Sequence, residues 1–211
     1  MEDKLERMKR CIDTAKRNFS KDYHLMLIPQ IFSKRFIAYT SMKKDLERNL
    51  EYITLLRQRP GELIESALTY ALISLYGKCF TDASKSGYPK LNPKEIFEEG
   101  SELEETHNVL MDLRHQFIAH RGDTESEVGI AFTIVPKTDD SLAQQIRFQQ
   151  VKRSSFSNLD LDKLERLHNH LIAYLSPMVQ KSANKAVRGF NENLSVQEMM
   201  ALYMNSFDSD K

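Results

Sequence analysis

Apolar side chains return every three or four residues along most of the chain, the spacing that places them on one face of a helix. Residues 2 to 18 read as a charged, amphipathic first helix. Leu25, Ile28, Phe32 and Tyr39 mark a second helical stretch, with Pro29 as a kink or a late start. Met42, Leu46, Ile53 and Leu56 carry the pattern on to Pro60, which stops it. Beyond Gly61, the residues Ile64, Leu68, Ala71, Leu72 and Leu75 predict one buried stripe on a helix ending near Gly77. A loop over 81–92 follows, rich in Ser, Gly and Pro. Asn92 then serves as N-cap and Pro93 as first residue of a short helix. Ser101 and Glu104 have the spacing of a capping box, opening a helix whose apolar face is Leu103, Leu110, Leu113 and Phe117.

At Gly122-Asp123 a turn signal intervenes and the period drops to two. Val128, Ile130, Phe132 and Ile134 alternate up to Pro136, and Ile146 and Phe148 suggest a partner strand. This predicts a small antiparallel hairpin over about residues 127–152, expected to pack on the helices because a lone hairpin is marginal in water. Helicity resumes after Asn158. Leu164, Leu167, Leu171, Leu175 and Met178 form a heptad-like seam on a long closing helix, with a bend expected at Pro177. A short helix around Val196 to Tyr203 precedes an acidic tail at about 205–211. The expected fold class is mainly α: one helical domain over 1–211, a bundle with a hairpin inserted before its closing helix.

Composition adds exclusions. Hydrophobic residues at 41% and charged residues at 28% describe an ordinary globular chain of 211 residues. Lys plus Arg equals Asp plus Glu at 30 each, so any contact with nucleic acid has to come from a local patch. Cys11 and Cys79 form no CxxC pair and suit a reduced setting. The start of the chain lacks the apolar run of a signal peptide, and Leu25 to Ile28 is the longest aliphatic run. A soluble, cytoplasmic protein is the expectation. No GxGxxG, phosphate loop, GxSxG or HExxH string occurs. His168 and His170 are two apart on a helix, point to different faces, and read as packing or surface groups rather than metal ligands. No cofactor is expected.

The remaining chemistry lies in Arg114-His115-Gln116-Phe117-Ile118-Ala119-His120. Cutting RNA without a metal needs a base for the 2′-hydroxyl proton and a cation for the phosphorane. A histidine suits the first task and an arginine, whose fork matches phosphate oxygens, the second. The string resembles the signature of the HEPN superfamily (higher eukaryotes and prokaryotes nucleotide-binding), with Arg114, His115 and His120 in the three motif positions. The longer string Leu-Arg-x-x-x-Ile-Ala-His-x-x-Asp is similar to that of abortive-infection-type and related bacterial HEPN-like proteins. The resemblance is specific over residues 110 to 123 and otherwise extends as helix order. It implies a HEPN-like helical bundle and catalytic roles for Arg114, His115 and His120. The implied activity is that of a metal-independent endoribonuclease or a toxin-like effector of phage defence. Binding without cleavage, to nucleotide, RNA or a protein partner, is the alternative within the same group. A helical dimerisation protein with no site is the blandest reading. One departure is Gly122, where some members carry a tyrosine that a partner enzyme modifies.

Six residues along a regular helix leave Arg114 and His120 about 120° and roughly 9 Å apart, so one copy does not obviously close a site. The resemblance implies a homodimer whose motif helices face each other; otherwise the helix bends or ends before His120. An antitoxin or defence partner is a further expectation. The structural readings are an Arg114–carboxylate pair and a His120 that complements the helix C-terminus. Arg121, with the stripe Lys181, Lys185 and Arg188 at i, i+4 and i+7, is the weaker candidate for RNA contact, a solvated face being the plainer account of the stripe. Glu62 and Glu65 either face the motif helix or are helix-start charges.

Overall fold

The computed structural model describes residues 4–19, 23, 25–118, 127–134, 145–152 and 159–202, and these are mainly helical. The elements are α1 (Lys4–Phe19), α2 (Gln30–Arg57), α3 (Glu62–Phe80), α4 (Pro93–Ile96), α5 (Glu102–Ile118), β1 (Glu127–Ile134), β2 (Gln145–Lys152), α6 (Leu161–Asn193) and α7 (Val196–Ala201). The two strands pair antiparallel, with Ala131 opposite Phe148. Their connecting turn, 135–144, and the acidic tail lie outside the described residues. Among the described residues no helix is long and apolar enough to cross a membrane.

Local chemistry sets most of the boundaries. Pro29 is a late start and not a kink: its carbonyl accepts from the Phe32 and Ser33 amides, and α2 then runs unbroken for 28 residues. Arg59 at φ 51° and Gly61 at φ 101° turn the chain from α2 into α3, the second in a region that favours glycine. Asn92 caps α4, its side chain accepting from the Lys94 amide at 3.3 Å. Ser101 accepts from the Glu104 amide at 3.2 Å, while the Glu104 carboxylate reaches back to the Gly100 amide, one residue before the expected cap. Asp160 caps α6 through the Asp162 and Lys163 amides.

The chain falls into two compact units: residues 1–39 with 177–211, and residues 40–176. The first contains α1, the start of α2, the end of α6 and α7. Ile12, Ala38, Ala186 and Phe190 are its buried apolar side chains among the described residues, and the Phe32 ring crosses Gly189.

The second unit holds most of the core. The α6 seam is buried as its spacing demands, with Leu164, Leu167, Leu171 and Leu175 no more than 1% exposed. Leu46 and Ile53 of α2, Leu72 and Ile73 of α3 and Leu110 of α5 are equally enclosed. On α3 the buried face differs from the expected one. Ile64 is 51% exposed and Leu68, Ala71 and Leu75 are half-buried, whereas Thr69, Leu72, Ile73, Tyr76 and Cys79 are buried. Apolar residues run almost all the way round this helix, so spacing alone selects no stripe. The helix also continues past Gly77 to Phe80.

Inside this core sits a polar cluster. Asn49 of α2 donates through Nδ2 to the Leu72 carbonyl of α3 at 3.1 Å. The same amide nitrogen lies 3.1 Å from His168 Nε2 on α6, and His168 Nδ1 lies 2.7 Å from the Leu164 carbonyl. A carbonyl only accepts, so Nδ1 carries the proton and Nε2 accepts from Asn49. A second proton on Nε2 would face the Asn49 NH2 group. Burial pushes the His168 pKa down to about 4, against which the Leu164 bond acts in the opposite sense. His107 is pushed down by burial as well.

The sign for stability follows. The unfolded chain takes up a proton near pH 6.5 that native His168 refuses until about pH 4, so stability falls as pH drops through that window. Urea titration should show the protein about 1 kcal/mol less stable at pH 5.5 than at pH 7 from His168 alone. In His168→Gln that part of the pH dependence should vanish. Equal midpoints at the two pH values in the parent protein would contradict the buried neutral imidazole.

Candidate functional site

His107, Leu110 and Arg114 lie at i, i+3 and i+7 on α5 and share one face. Leu110 is fully buried. His107 is 5% exposed, and its Nδ1 and the Tyr76 hydroxyl of α3 share a 2.6 Å hydrogen bond. Its ring packs on Phe80 at 4.5 Å and Phe97 at 5.0 Å between centroids. One turn beyond Leu110, the Arg114 stem lies across α3 at Gly77. A methyl group on Gly77 would overlap Arg114 Cδ and come within 2.6 Å of Nε. Glycine inside a helix costs about 1 kcal/mol relative to alanine. Here it makes the trough that receives the arginine.

The half-buried Arg114 guanidinium has no hydrogen bond or ion pair with another described residue. The carboxylate partner that a purely structural arginine would have is therefore not found among the described residues. His115, the next residue, is exposed and lies about 100° further round the helix. His120 and Arg121 lie outside the described residues, beyond Ile118 at the end of α5. The structure thus brings Arg114 and His115 together on the closing turns of α5. Glu62 and Glu65 stand in the first turn of α3, and Gly77 is about 18 Å further along its axis, so they do not face Arg114. Glu65 lies 3.9 Å from Arg59 instead.

Lys181, Lys185 and Arg188 belong to the other unit. All three are exposed and, with Pro177, Gln180 and Asn184, line an open depression along one face of α6.

Other chemistry is constrained by the same packing. Among the described residues no three His, Cys, Asp or Glu side chains gather as metal ligands. Cys79 is buried, and burial pushes its thiol up to about 12, which removes it as a nucleophile at neutral pH. His170 points its Nε2 toward the Ile96 carbonyl at 3.3 Å and is half-buried.

Sequence reasoning did not find Gly77, Asn49, Tyr76 or His107. His107 had a legible signal, since it stands seven residues before Arg114 and so on the same face. Gly77 had a weaker one, as a glycine set within an apolar helical run. What Arg114 and Gly77 make together is an aliphatic stem held against α3, carrying a planar guanidinium fork with no partner among the described residues. A phosphate oxygen pair matches that fork.

A double-mutant cycle tests the seat. Gly77→Ala should destabilise the parent protein or leave it unimproved, because the new methyl displaces Arg114. In an Arg114→Ala background the same change should stabilise by about 1 kcal/mol, the helix propensity of alanine. Equal effects in both backgrounds, read from thermal or urea melts, would show that Arg114 does not rest on Gly77. No family model, curated protein or solved structure matches this chain, so the site stands on its geometry and its residue string.

Proposed function

We propose that the chain is a HEPN-like, metal-independent endoribonuclease, or a toxin-like effector of phage defence with that activity. In this reading it works as a homodimer and has an antitoxin or defence partner. The observation that carries the reading is the Arg114 guanidinium, seated on Gly77 and without a carboxylate partner among the described residues. A cation already neutralised by a carboxylate has little left for a phosphorane. One held by its stem keeps its full charge for the transition state.

Roles follow from residue chemistry. His120 takes the 2′-hydroxyl proton, the 2′-oxygen attacks phosphorus as the bond to the 5′-oxygen breaks, and the 5′-oxygen takes a proton from solvent, to which His120 later releases its own. Arg114 neutralises the oxygens that gain charge on the way. His115, exposed beside Arg114, orients the phosphate or His120. A second copy supplies the remaining half of the cleft.

A second reading is a non-catalytic module that uses Arg114 to hold a nucleotide, RNA or an acidic protein segment. It is favoured by the same seated guanidinium, because binding needs the cation and not the base.

Incubating the purified protein with mixed RNA separates the two. Under the first reading cleavage survives EDTA, yields 2′,3′-cyclic phosphate ends and fails on 2′-deoxy substrates. Arg114→Ala and His120→Ala each remove at least about a hundredfold of the rate, the usual worth of one charge-stabilising donor or one acid–base group. His115→Ala is milder. Cleavage that needs magnesium, or that persists in Arg114→Ala/His120→Ala, would sink the mechanism. Binding without cleavage, lost in Arg114→Ala, supports the second reading.

A further inference from the structure

The overall charge balance of zero conceals a segregation. The unit formed by residues 1–39 and 177–211 carries thirteen Lys and Arg against nine Asp and Glu, and residues 40–176 carry seventeen against twenty-one. Within the first unit the excess is concentrated in its helices. α1, residues 30–39 of α2, residues 177–193 of α6 and α7 together hold eleven basic and four acidic residues. From Pro177 to Asn191 there are three basic residues and no acidic one.

That α6 segment has the form of a docking face. Lys181, Lys185 and Arg188 are all exposed and stand on one side of the helix at i, i+4 and i+7. The only carboxylate near any of them in the described contacts is Glu192, 3.9 Å from Arg188 with both side chains mostly exposed, a pair that leaves the cation available. Gln180, just before Lys181, and Asn184, just before Lys185, line the same depression, joined by a 3.0 Å hydrogen bond, and keep further donors and acceptors beside the cations. The opposite side is anchored, with Ser182, Ala186 and Phe190 buried. The stripe is therefore held on a fixed surface.

We propose that this α6 face is a second, non-catalytic anion surface that tracks the phosphate backbone of RNA without reading its sequence. Seven residues of helix rise about 10 Å, which spans on the order of three phosphates of one strand, one for each cation. No aromatic ring lies among the six residues lining the depression, so there is no stacking platform for bases. The two amides suit sugar hydroxyls and phosphate oxygens, the contacts that position a strand. A lipid surface fits less well, since an interfacial helix needs large apolar side chains beside its cations and this face offers only Pro177. The surface is independent of the reading of Arg114, which belongs to the other unit.

The test is fluorescence anisotropy of a labelled 20-nucleotide 2′-O-methyl RNA of mixed sequence, which lacks the attacking hydroxyl, titrated with the full chain between 50 and 200 mM KCl. The parent protein should bind with affinity that falls with salt. Lys181→Gln/Lys185→Gln/Arg188→Gln should bind at least tenfold more weakly at 50 mM. Its log–log salt slope should be shallower by about 2, the share of three phosphates on a single strand. Lys185→Glu alone, an exposed position, gives the same direction of change if the triple variant is unstable. Arg114→Ala should leave the salt slope within one contact of the parent. That result separates failure of this surface from failure of the Arg114 site. An unchanged slope and affinity in the stripe variants would overturn the proposal. So would no RNA binding by the parent at 50 mM, or binding to phosphatidylserine vesicles in place of RNA.

Discussion

The bond between Asn49 and His168 is the constraint on which the larger unit depends. Both side chains are fully buried; Asn49 of α2 donates to the Leu72 carbonyl of α3 and to His168 of α6, whose other ring nitrogen bonds the Leu164 carbonyl one turn back on its own helix. Burying such groups unpaired costs about 1–3 kcal/mol each, whereas an apolar core slides between registers at little cost. The pairing therefore fixes how α2, α3 and α6 lie in depth against one another. It is not perfect, because Asn49 Oδ1 has no partner. Flipping the amide would set that oxygen against the Leu72 carbonyl, so the cost is borne where it is least.

The register set there carries through α3 to α5. Tyr76 lies one turn from Leu72 and meets both His168, at 5.4 Å between ring centroids, and His107 through its hydroxyl. With His107 fixed and Leu110 enclosed, the next position on that face of α5 falls opposite Gly77. Arg114 therefore takes its place through core packing, and among the described residues no ion pair of its own holds it there. Exposed ion pairs at the helix ends, Arg57 with Glu165 and Glu102 with Lys163, add little to this, since such pairs contribute at most about 1 kcal/mol.

Charge is partitioned differently from apolar surface. The larger unit has the core and the seated guanidinium; the smaller has the basic helices.

Sequence by itself determined the helical class, the caps at Asn92 and Ser101, and the α6 seam, because these depend on neighbours within a turn or two of the same helix. It also singled out Arg114 and His115 by residue string. It did not determine which face of α3 is buried, since that helix is apolar nearly all round and only its partners choose. It left open whether Pro29 kinks or starts α2, and took Gly77 for a helix end. The glycine's meaning lies in an arginine 37 residues away, which no local rule can supply. His168 was legible as a packing group, but its neutral state was not, because that state depends on desolvation in the packed core and on one amide from α2. The tertiary structure decided these points for a common reason: each is a contact between elements distant in sequence, where burial and shape outweigh the local pattern.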